Sequence, residues 1–362
     1  MAENQETTPL LNEGTSTGTS TKPVSKRTRI ILGIFAIIGI LAITGWTVYR
    51  ITEKTPLVNE PLKVRLYTHN IRFDNHHTDV NEEKWSKRRQ LVTSSIDFNT
   101  DSGLANVVCL QEVLHNQLED ILYNLNEGNS TDDWTYFGVG RTDGKTEGEY
   151  APILFKRAEW NVVDNSTSWL SESPEVPSRG WDAALERIVS MVTLESKANP
   201  FVRLNFFNTH FDHKGKKARR ESARLIVDRM ENYNGYPSFL CGDFNTNPTD
   251  EPYQILKLHG FKDSRTLIDQ LHSYGHKATF TGFDNLHEDT AIIDYIWGPY
   301  FAKNGNQSPS ILELEDINYY DLDLHEEYKV MIKQYAVLHS RFHGFYMSDH
   351  RPVSADYYIY KA

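Results

Sequence analysis

The sequence has few cysteines and lacks the common motifs of nucleotide-binding and serine hydrolase sites. Its two cysteines, Cys109 and Cys241, each lie in an apolar stretch, so we predict buried free thiols, no disulfide and no thiolate zinc site. There is no glycine-rich phosphate loop, no Gly-X-Ser-X-Gly turn, no dinucleotide-binding fingerprint and no internal repeat. These absences argue against a P-loop, an α/β-hydrolase, a Rossmann domain and a solenoid.

Basic residues are outnumbered along the chain. With 38 Lys and Arg against 49 Asp and Glu, the net charge is −11, so the protein does not present a broad surface for polyanions. A hydrophobic fraction of 39% and a charged fraction of 24% in 362 residues are typical of a globular protein with one large domain or two small ones.

The N-terminal region has a different composition. Residues 1–29 are rich in Ser, Thr and Glu, which predicts a disordered tail. Residues 30–49 form an uncharged apolar run, which is long enough for one transmembrane helix, with a cleaved signal peptide as the alternative. Basic residues concentrate just before this run, so we expect a cytosolic N-terminus and a type II membrane protein, followed by a linker over 50–62.

Three features of the sequence bear on localisation. The sequons at Asn129, Asn165 and Asn306 are compatible with a glycoprotein whose main domain is lumenal or extracellular. The stretch "ETTPLL", residues 6–11, is similar to acidic dileucine sorting signals. It favours a lysosomal or vacuolar membrane.

Short β-type stretches alternate with helical ones over residues 63–362, which predicts one α+β layered domain. Helices are expected at 82–98, 115–126 and 215–231. The acidic and aromatic stretch 301–346 is interpreted as an insertion outside the core. The predicted strands are 63–71, 106–112, 150–156, 187–195, 202–211, 237–244, 291–298 and 352–360.

Polar side chains occur where the predicted strands end. Any one of them has an ordinary interpretation as a turn, a helix cap or a buried histidine. Together they are the arrangement expected where a rigid scaffold offers functional groups to a common cleft. These residues are Asn70, Glu112, Asn208, His210, Asp243, Asn245, Asp294, Asp349 and His350.

The residue types in this set indicate hard-cation chemistry. Carboxylates and carboxamides without clustered cysteine or histidine suit Mg²⁺ or Mn²⁺ held partly by substrate phosphate. His210 and His350 remain available to donate to phosphate oxygens or to act as general acid and base.

Seven motifs, in order, resemble the endonuclease/exonuclease/phosphatase superfamily. They are "THNIR", "CLQE", "GEYAPILFK", "NTHFDH", "GDFN", "IDYI" and "SDHRP", and they extend over about residues 63–361. The resemblance implies a two-sheet β-sandwich flanked by helices, a four-layer αββα arrangement. It also implies a hydrolase in which water attacks a phosphoric ester in line with the leaving group.

The resemblance assigns one group of residues to the metal. Asn70 and Glu112 look like the metal-side pair, with Glu112 the direct ligand, and Asp349 resembles a second metal-side carboxylate. The implied ion is Mg²⁺ or Mn²⁺.

A second group is assigned to the phosphate. Asp243 resembles the residue that orients or deprotonates the attacking water, and Asn245 the residue that contacts the scissile phosphate. His350 would stabilise the transition state, Asp294 would hold an imidazole in its useful tautomer, and His210 would face the leaving group.

Two longer stretches, "GRTDGKTEGEYAPILFK" and "SRGWDAALERI", are similar to a subgroup of secreted and membrane-anchored hydrolases. In that subgroup Glu149 looks like a supporting carboxylate near the cleft, and Arg187 like a substrate or packing residue.

Several substrate classes stay open. Phosphodiester hydrolysis with nucleic acid as substrate is the leading hypothesis, with the basic run at 213–220 as a candidate contact. The predicted membrane tether motivates a sphingomyelinase-type lipid phosphodiesterase. A sugar or inositol phosphatase should show more basic residues around the cleft. A non-catalytic scaffold is disfavoured, and we expect no obligate protein partner.

Overall fold

Strands dominate the part of the chain that the computed structural model describes. That part consists of residues 60–127, 133–284, 286–287, 291–299 and 328–361, and residue 39 alone among the first 59. The helices are α1 (Trp85–Thr100), α2 (His115–Glu127), α3 (Lys216–Asn232), α4 (Glu251–Leu258) and α5 (Ser264–Leu267). The strands are β1 (Leu62–Asn70), β2 (Ala105–Gln111), β3 (Trp134–Phe137), β4 (Ile153–Lys156), β5 (Trp160–Trp169), β6 (Ile188–Ser196), β7 (Arg203–His210), β8 (Ser238–Asp243), β9 (Lys262–Asp263), β10 (Ser273–Gly275), β11 (Asp294–Gly298), β12 (Tyr328–Val337), β13 (Arg341–Phe342), β14 (Phe345–Tyr346) and β15 (Val353–Lys361).

The strands form two large mixed sheets. The strand order is β10-β12-β15-β1-β2-β4-β3 in the seven-stranded sheet and β5-β6-β7-β8-β11-β9 in the six-stranded sheet. Near the middle of each sheet two neighbours run parallel, β1 with β2 and β7 with β8. The carboxyl ends of parallel strands lie at one edge of a sheet, so each sheet delivers two strand ends to the same side.

The main core lies between the two sheets. Val64 and Val107 of one sheet belong to the same buried cluster as Phe206 and Phe239 of the other. Burying each such side chain stabilises the fold by roughly 1.5–3 kcal/mol.

The helices cover the outer faces of the sandwich. Val92 of α1 and Ile121 of α2 pack with Leu110 of the seven-stranded sheet, whereas Ile226 of α3 packs with Leu240 of the six-stranded sheet. The layers are therefore helix, sheet, sheet, helix, which confirms the predicted α+β sandwich with four layers.

The predicted helices and strands are all present, but one interpretation of the sequence was wrong. The predicted insertion at 301–346 includes β12, which pairs with β15 along its whole length. Tyr328, Val330 and Ile332 point into the main core. The alternation of apolar and polar residues in "YKVMIKQYAV" is that of a strand with one buried face.

Several predictions fall on residues outside the described part of the chain. These are the tail, the transmembrane helix, most of the linker, the dileucine-like stretch, the sequons at Asn129 and Asn306, and residues 300–327. Among the described residues, no helix is long and apolar enough to cross a membrane. The third sequon residue, Asn165, is exposed on β5, and Cys109 and Cys241 are buried free thiols.

Candidate active site

The ends of four strands meet at one edge of the sandwich. Asn70 ends β1 and Glu112 directly follows β2, while His210 and Asp243 end β7 and β8 as paired neighbours. Asp294 begins β11 directly opposite Asp243. Sheet register, rather than any loop, therefore brings these side chains together.

Asp243 is the centre of the site. One carboxylate oxygen accepts hydrogen bonds from the backbone N–H of Asn245 at 2.8 Å, and the other accepts from the Asn70 amide at 3.0 Å. The same second oxygen lies 3.4 Å from Nε2 of His210 and 3.7 Å from Nε2 of His350. Burial raises the pKa of Asp243 to about 7, although the neighbouring His350 opposes this.

His350 and Asp294 form a buried pair. Nδ1 of His350 lies 2.9 Å from Oδ2 of Asp294, so it carries a proton and Nε2 faces Asp243. The ring of Phe280 packs edge-on against the imidazole, with centroids 4.9 Å apart. Burial alone would lower the pKa of His350, but the carboxylates of Asp294 and Asp243 raise it well above the usual value.

His210 has the opposite electrostatic environment. Its Nε2 accepts a hydrogen bond from the Asn245 amide at 3.0 Å, so its proton is on Nδ1. Nδ1 is buried without a hydrogen-bond partner and lies 3.8 Å from Oε2 of Glu149. Burial and the positive charges of Arg187 and Arg141 lower the pKa of His210, so the ring is neutral.

Two acidic side chains lie on the other side of Asp243. Glu112 accepts hydrogen bonds from the Asn70 amide at 3.0 Å and from the Phe73 N–H at 3.2 Å. Asp349 is buried, and its Oδ1 lies 3.3 Å from the hydroxyl oxygen of Ser348, whose proton is donated to the carbonyl of Asn70 at 2.6 Å. Neither carboxylate forms an ion pair in the described part of the chain, and burial raises the pKa of Asp349, to which Glu112 adds.

Cation ligands are available at two positions. Potential ligand atoms of Asp243, Asp294 and His350 lie within 4.8 Å of one another, although the hydrogen bond to Asp294 already occupies Nδ1 of His350. The set of Asn70, Glu112 and Asp349 offers oxygen donors, which fit a hard divalent cation.

The backbone at the strand ends is unusual. Arg72, Glu112 and Asn245 adopt the left-handed region with φ of 59°, 60° and 47°. Non-glycine residues seldom adopt this conformation, which costs about 1 kcal/mol each and is concentrated at functional sites. Each residue comes directly after a strand or within two residues of its end, and at Glu112 and Asn245 the turn positions a side chain of the site.

Two arginines complete the site, and only one was predicted. Arg141 forms two hydrogen bonds of 2.8 Å with the carboxylate of Glu149. Arg187 is buried beside His210, and its Nε and Nη1 have no hydrogen-bond partner. Its Nε lies 3.6 Å from Asp212. Arg141 lies in the stretch "GRTDGKTEGEYAPILFK" but was not singled out there, because its role depends on a loop that folds back onto Glu149.

All ten predicted site residues lie at this edge. The metal-side and phosphate-side groups are joined by the Asn70 amide, which bonds to both Glu112 and Asp243. The ten are Asn70, Glu112, Glu149, Arg187, His210, Asp243, Asn245, Asp294, Asp349 and His350.

The family model for the Endonuclease/Exonuclease/phosphatase family matches residues 67–350. The chain therefore belongs to this family, and it is a phosphoric ester hydrolase. No curated protein matches it significantly.

Solved structures of bacterial proteins share the fold over most of both chains. A family protein from Bacteroides vulgatus is 32% identical, covers 82% of this chain and 98% of its own, and has a TM-score of 0.65. A family protein from Bacteroides thetaiotaomicron is 28% identical, with 84% and 100% coverage and a TM-score of 0.68. A mannosyl-6-phosphatase from Bacteroides thetaiotaomicron is 28% identical, with 81% and 99% coverage and a TM-score of 0.65.

Proposed function

We propose that the protein hydrolyses a phosphoric ester with the help of Mg²⁺ or Mn²⁺ held by Glu112 and Asp349, with Asn70 beside them. The support is that Asp349 is buried and Glu112 half-buried, and that neither carboxylate has a side-chain cation within ion-pair distance among the described residues, which leaves both oxygen sets open to a divalent cation. When bound, the cation would neutralise charge on the phosphoryl group and orient it.

Asp243 acts as the base toward the attacking water. A pKa of about 7 matches its carboxylate to proton transfer near neutral pH. The hydrogen bonds from Asn245 and Asn70 hold the carboxylate in one orientation. The water is thereby directed at phosphorus from one side.

The two histidines act as donors to the phosphoryl group. His350, charged and held by Asp294, donates from Nε2 to a non-bridging oxygen, where negative charge develops. His210 is neutral, and its unpartnered Nδ1–H is available to the leaving-group side.

The observation that carries this proposal is the position of Asp243 between two imidazoles of opposite charge state. The test is hydrolysis by the full-length chain with Mg²⁺ and with a chelator, beside Asp243→Ala. Hydrolysis that needs metal and is lost in the variant supports the proposal. Hydrolysis that persists in the variant contradicts it.

For the substrate we favour a phosphate monoester on a sugar. Arg187 and Arg141 place two guanidinium groups at the cleft, Arg141 paired with Glu149 and Arg187 3.6 Å from Asp212, and forked donors of this kind bind the oxygens of a phosphate monoester. The buried, unpartnered N–H groups of Arg187 beside His210 are suited to an oxygen-rich ligand. The similarity to the solved structure of a mannosyl-6-phosphatase supports the same substrate class.

The experiment compares release of inorganic phosphate from mannose 6-phosphate with cleavage of a simple phosphodiester. Arg187→Lys should raise the KM for the monoester by about tenfold, because lysine cannot supply the forked donors of arginine. Cleavage of the diester alone would contradict the monoester assignment.

A phosphodiester of nucleic acid is the second candidate. Lys214, Lys216 and Lys217 are exposed just beyond β7, and their ammonium groups form no ion pair in the described part of the chain. If nucleic acid is the substrate, replacing all three with alanine should weaken binding to a single-stranded oligonucleotide and reduce its salt dependence. Sphingomyelin dispersed in detergent serves as the lipid comparison.

We further propose that residues 30–49 anchor this domain on the lumenal or extracellular side of a membrane, with the dileucine-like stretch directing it to a vacuolar or lysosomal compartment. The support is the apolar length and the flanking charges. The exposed Asn165 provides the test, since Asn165→Gln should remove an endoglycosidase-sensitive mass if the domain is lumenal. Insensitivity of the wild-type chain in cells would count against this orientation.

A further inference from the structure

Arg88, in the first turn of α1, is fully buried beneath the candidate active site. Its guanidinium has no carboxylate within hydrogen-bonding distance among the described residues. All five of its N–H groups donate instead to backbone carbonyls. The acceptors are Glu83 at 2.8 Å from Nε, Ile71 at 2.7 Å and Met347 at 2.8 Å from Nη1, and Arg72 at 3.1 Å and Phe73 at 3.2 Å from Nη2.

Four of these carbonyls belong to the two segments that carry the metal-side groups. Residues 71–73 follow Asn70, and the N–H of Phe73 donates to Glu112 at 3.2 Å. Met347 precedes Asp349 by two residues. The hydroxyl of Ser348 donates to the carbonyl of Asn70 at 2.6 Å, which joins the two segments directly.

Gln117 on α2 holds the first segment from the other side. Its amide donates to the carbonyl of Arg72 at 3.0 Å. Its carbonyl oxygen accepts from the N–H of Asp74 at 3.0 Å and of Leu114 at 3.1 Å. Residues 71–74 are therefore hydrogen-bonded to side chains of both α1 and α2, the helices that cover the seven-stranded sheet.

Packing alone does not require an arginine at this position. Val92 and Ile96, on the same buried face of α1, attach the helix to the sheet with apolar side chains. A buried guanidinium is costly to desolvate, and apolar replacements of buried charges are often neutral or stabilising. What arginine adds is a rigid, planar fork that fixes several carbonyls relative to one another.

We propose that Arg88 is a positioning residue for the divalent cation site, acting through backbone carbonyls to hold Asn70, Glu112 and Asp349 in one relative arrangement. The inference rests on the proposed function in one respect, the location of the cation at these three residues. Gln117 supports the same arrangement with fewer bonds.

The test measures Mn²⁺ binding to the full-length chain from the loss of the free Mn²⁺ electron paramagnetic resonance signal. Arg88→Lys keeps the charge but cannot reach all the carbonyls. Its Kd for Mn²⁺ should rise by about tenfold or more, as for other groups that orient metal ligands. Activity at saturating metal should fall less than activity at low metal.

Arg65→Lys is the matched control. Arg65 faces the other end of α1, where its Nη1 donates to the carbonyl of Asn99 at 2.7 Å and its Nε to Asp356 at 2.6 Å. This variant should lower the thermal unfolding temperature but leave the Mn²⁺ Kd within about twofold, because its bonds lie away from the ligand-bearing segments.

Gln117→Met provides a second variant if Arg88→Lys does not fold, with an expected rise in Kd of about threefold. An unchanged Kd in folded Arg88→Lys and in Gln117→Met overturns the positioning role. An equal loss of affinity in Arg65→Lys also overturns it, because general destabilisation would then be the cause. A wild-type chain that binds no Mn²⁺ contradicts the proposed metal site itself, which is a separate result.

Discussion

The two ends of the sandwich differ in the size of the gap between their side chains and in the residues that line it. The end opposite the site has a cavity of about 590 Å³, lined by groups such as Lys63, Glu159 and Ser196. The gap enclosed beside His210 and Arg187 is about 10 Å³. The small gap nevertheless adjoins the carboxylate of Glu149, the imidazole of His210 and the guanidinium groups of Arg141 and Arg187. The side chains proposed to act on the substrate therefore lie at the end with the smaller gap.

Backbone conformation shows the same difference. At the site end, Arg72, Glu112 and Asn245 have positive φ despite their side chains. Among the described residues that line the opposite cavity, positive φ occurs at Gly103, where it costs little. Of these two ends, the one that carries the candidate site is therefore the one with non-glycine residues in the left-handed region.

The largest contrast should be in activity. We expect His350→Gln to lower kcat by about 10³- to 10⁴-fold, because it removes the charged donor to the phosphoryl oxygen. His259→Gln, which alters an exposed histidine paired with Glu231, should change kcat by less than about twofold. Steady-state kinetics with circular dichroism as a check on folding measures both. Similar losses in the two variants would contradict the assigned role of His350.

The next contrast concerns two glycines. A Cβ at Gly242, beside Asp243, would collide with the carbonyl oxygen of Thr209, whereas Gly103 has nothing within 4 Å of the same atom. Gly242→Ala should destabilise the fold by about 3 kcal/mol and Gly103→Ala by about 1 kcal/mol, the latter from its φ of +70° alone. Urea unfolding gives both values. Equal effects would mean that the site end is no more tightly packed than the other.

A third prediction uses the pKa of Asp243, raised by burial from 3.8 to about 7. The folded state binds the carboxyl proton of Asp243 more tightly than the unfolded state does. The protonated carboxyl group therefore stabilises the fold fully below about pH 4, and this stabilisation is lost as the pH rises through about 7. With a chelator present, the free energy of unfolding of Asp243→Asn should therefore be about 2 kcal/mol higher than that of the wild type at pH 8. At pH 4.5 the difference should be much smaller.

The control for this prediction is Asp356→Asn, which breaks an ion pair of 2.6 Å with Arg65. This variant should be less stable than the wild type at both pH values, because it removes a carboxylate that has an ion-pair partner. Asp243, by contrast, is a carboxylate whose charge is disfavoured by burial. A gain at pH 8 in this variant as well would show that the effect is not specific to the site.

The smallest effect is expected at the opposite cavity. Glu159 accepts two hydrogen bonds from Asn106, at 2.6 and 3.1 Å. Glu159→Gln should cost about 1 kcal/mol of stability and leave the kcat/KM of the hydrolase unchanged. A clear loss of activity in the folded variant would show that the two ends are coupled.

The strand ends could be predicted from the sequence because the signal is local. An apolar run followed at once by Asn70, Glu112 or Asp243 is visible without any tertiary information. The motif order then implied the fold and the ten site residues that the structure brings to one edge.

Other features depend on long-range contacts and left no such signal. Arg88 meets Met347 across 259 positions of sequence, so nothing near it in the sequence indicates its role. β5 was not predicted because it is an edge strand, and its exposed middle lacks the buried alternation of an interior strand. We assigned β12 to the predicted insertion because an acidic stretch directly precedes it, although the alternation of apolar and polar residues within β12 is clear.

The place of β15 has a consequence for shortened variants. This strand is formed by nearly the last residues of the sequence, yet it lies between β12 and β1 in the middle of its sheet. Arg65 meets Asp356 across 291 positions, so the seven-stranded sheet closes only when segments far apart in the sequence pair. Asp349 and His350 arrive with the same segment. A variant shortened before residue 349 would therefore lack an interior strand of the seven-stranded sheet together with both of these side chains.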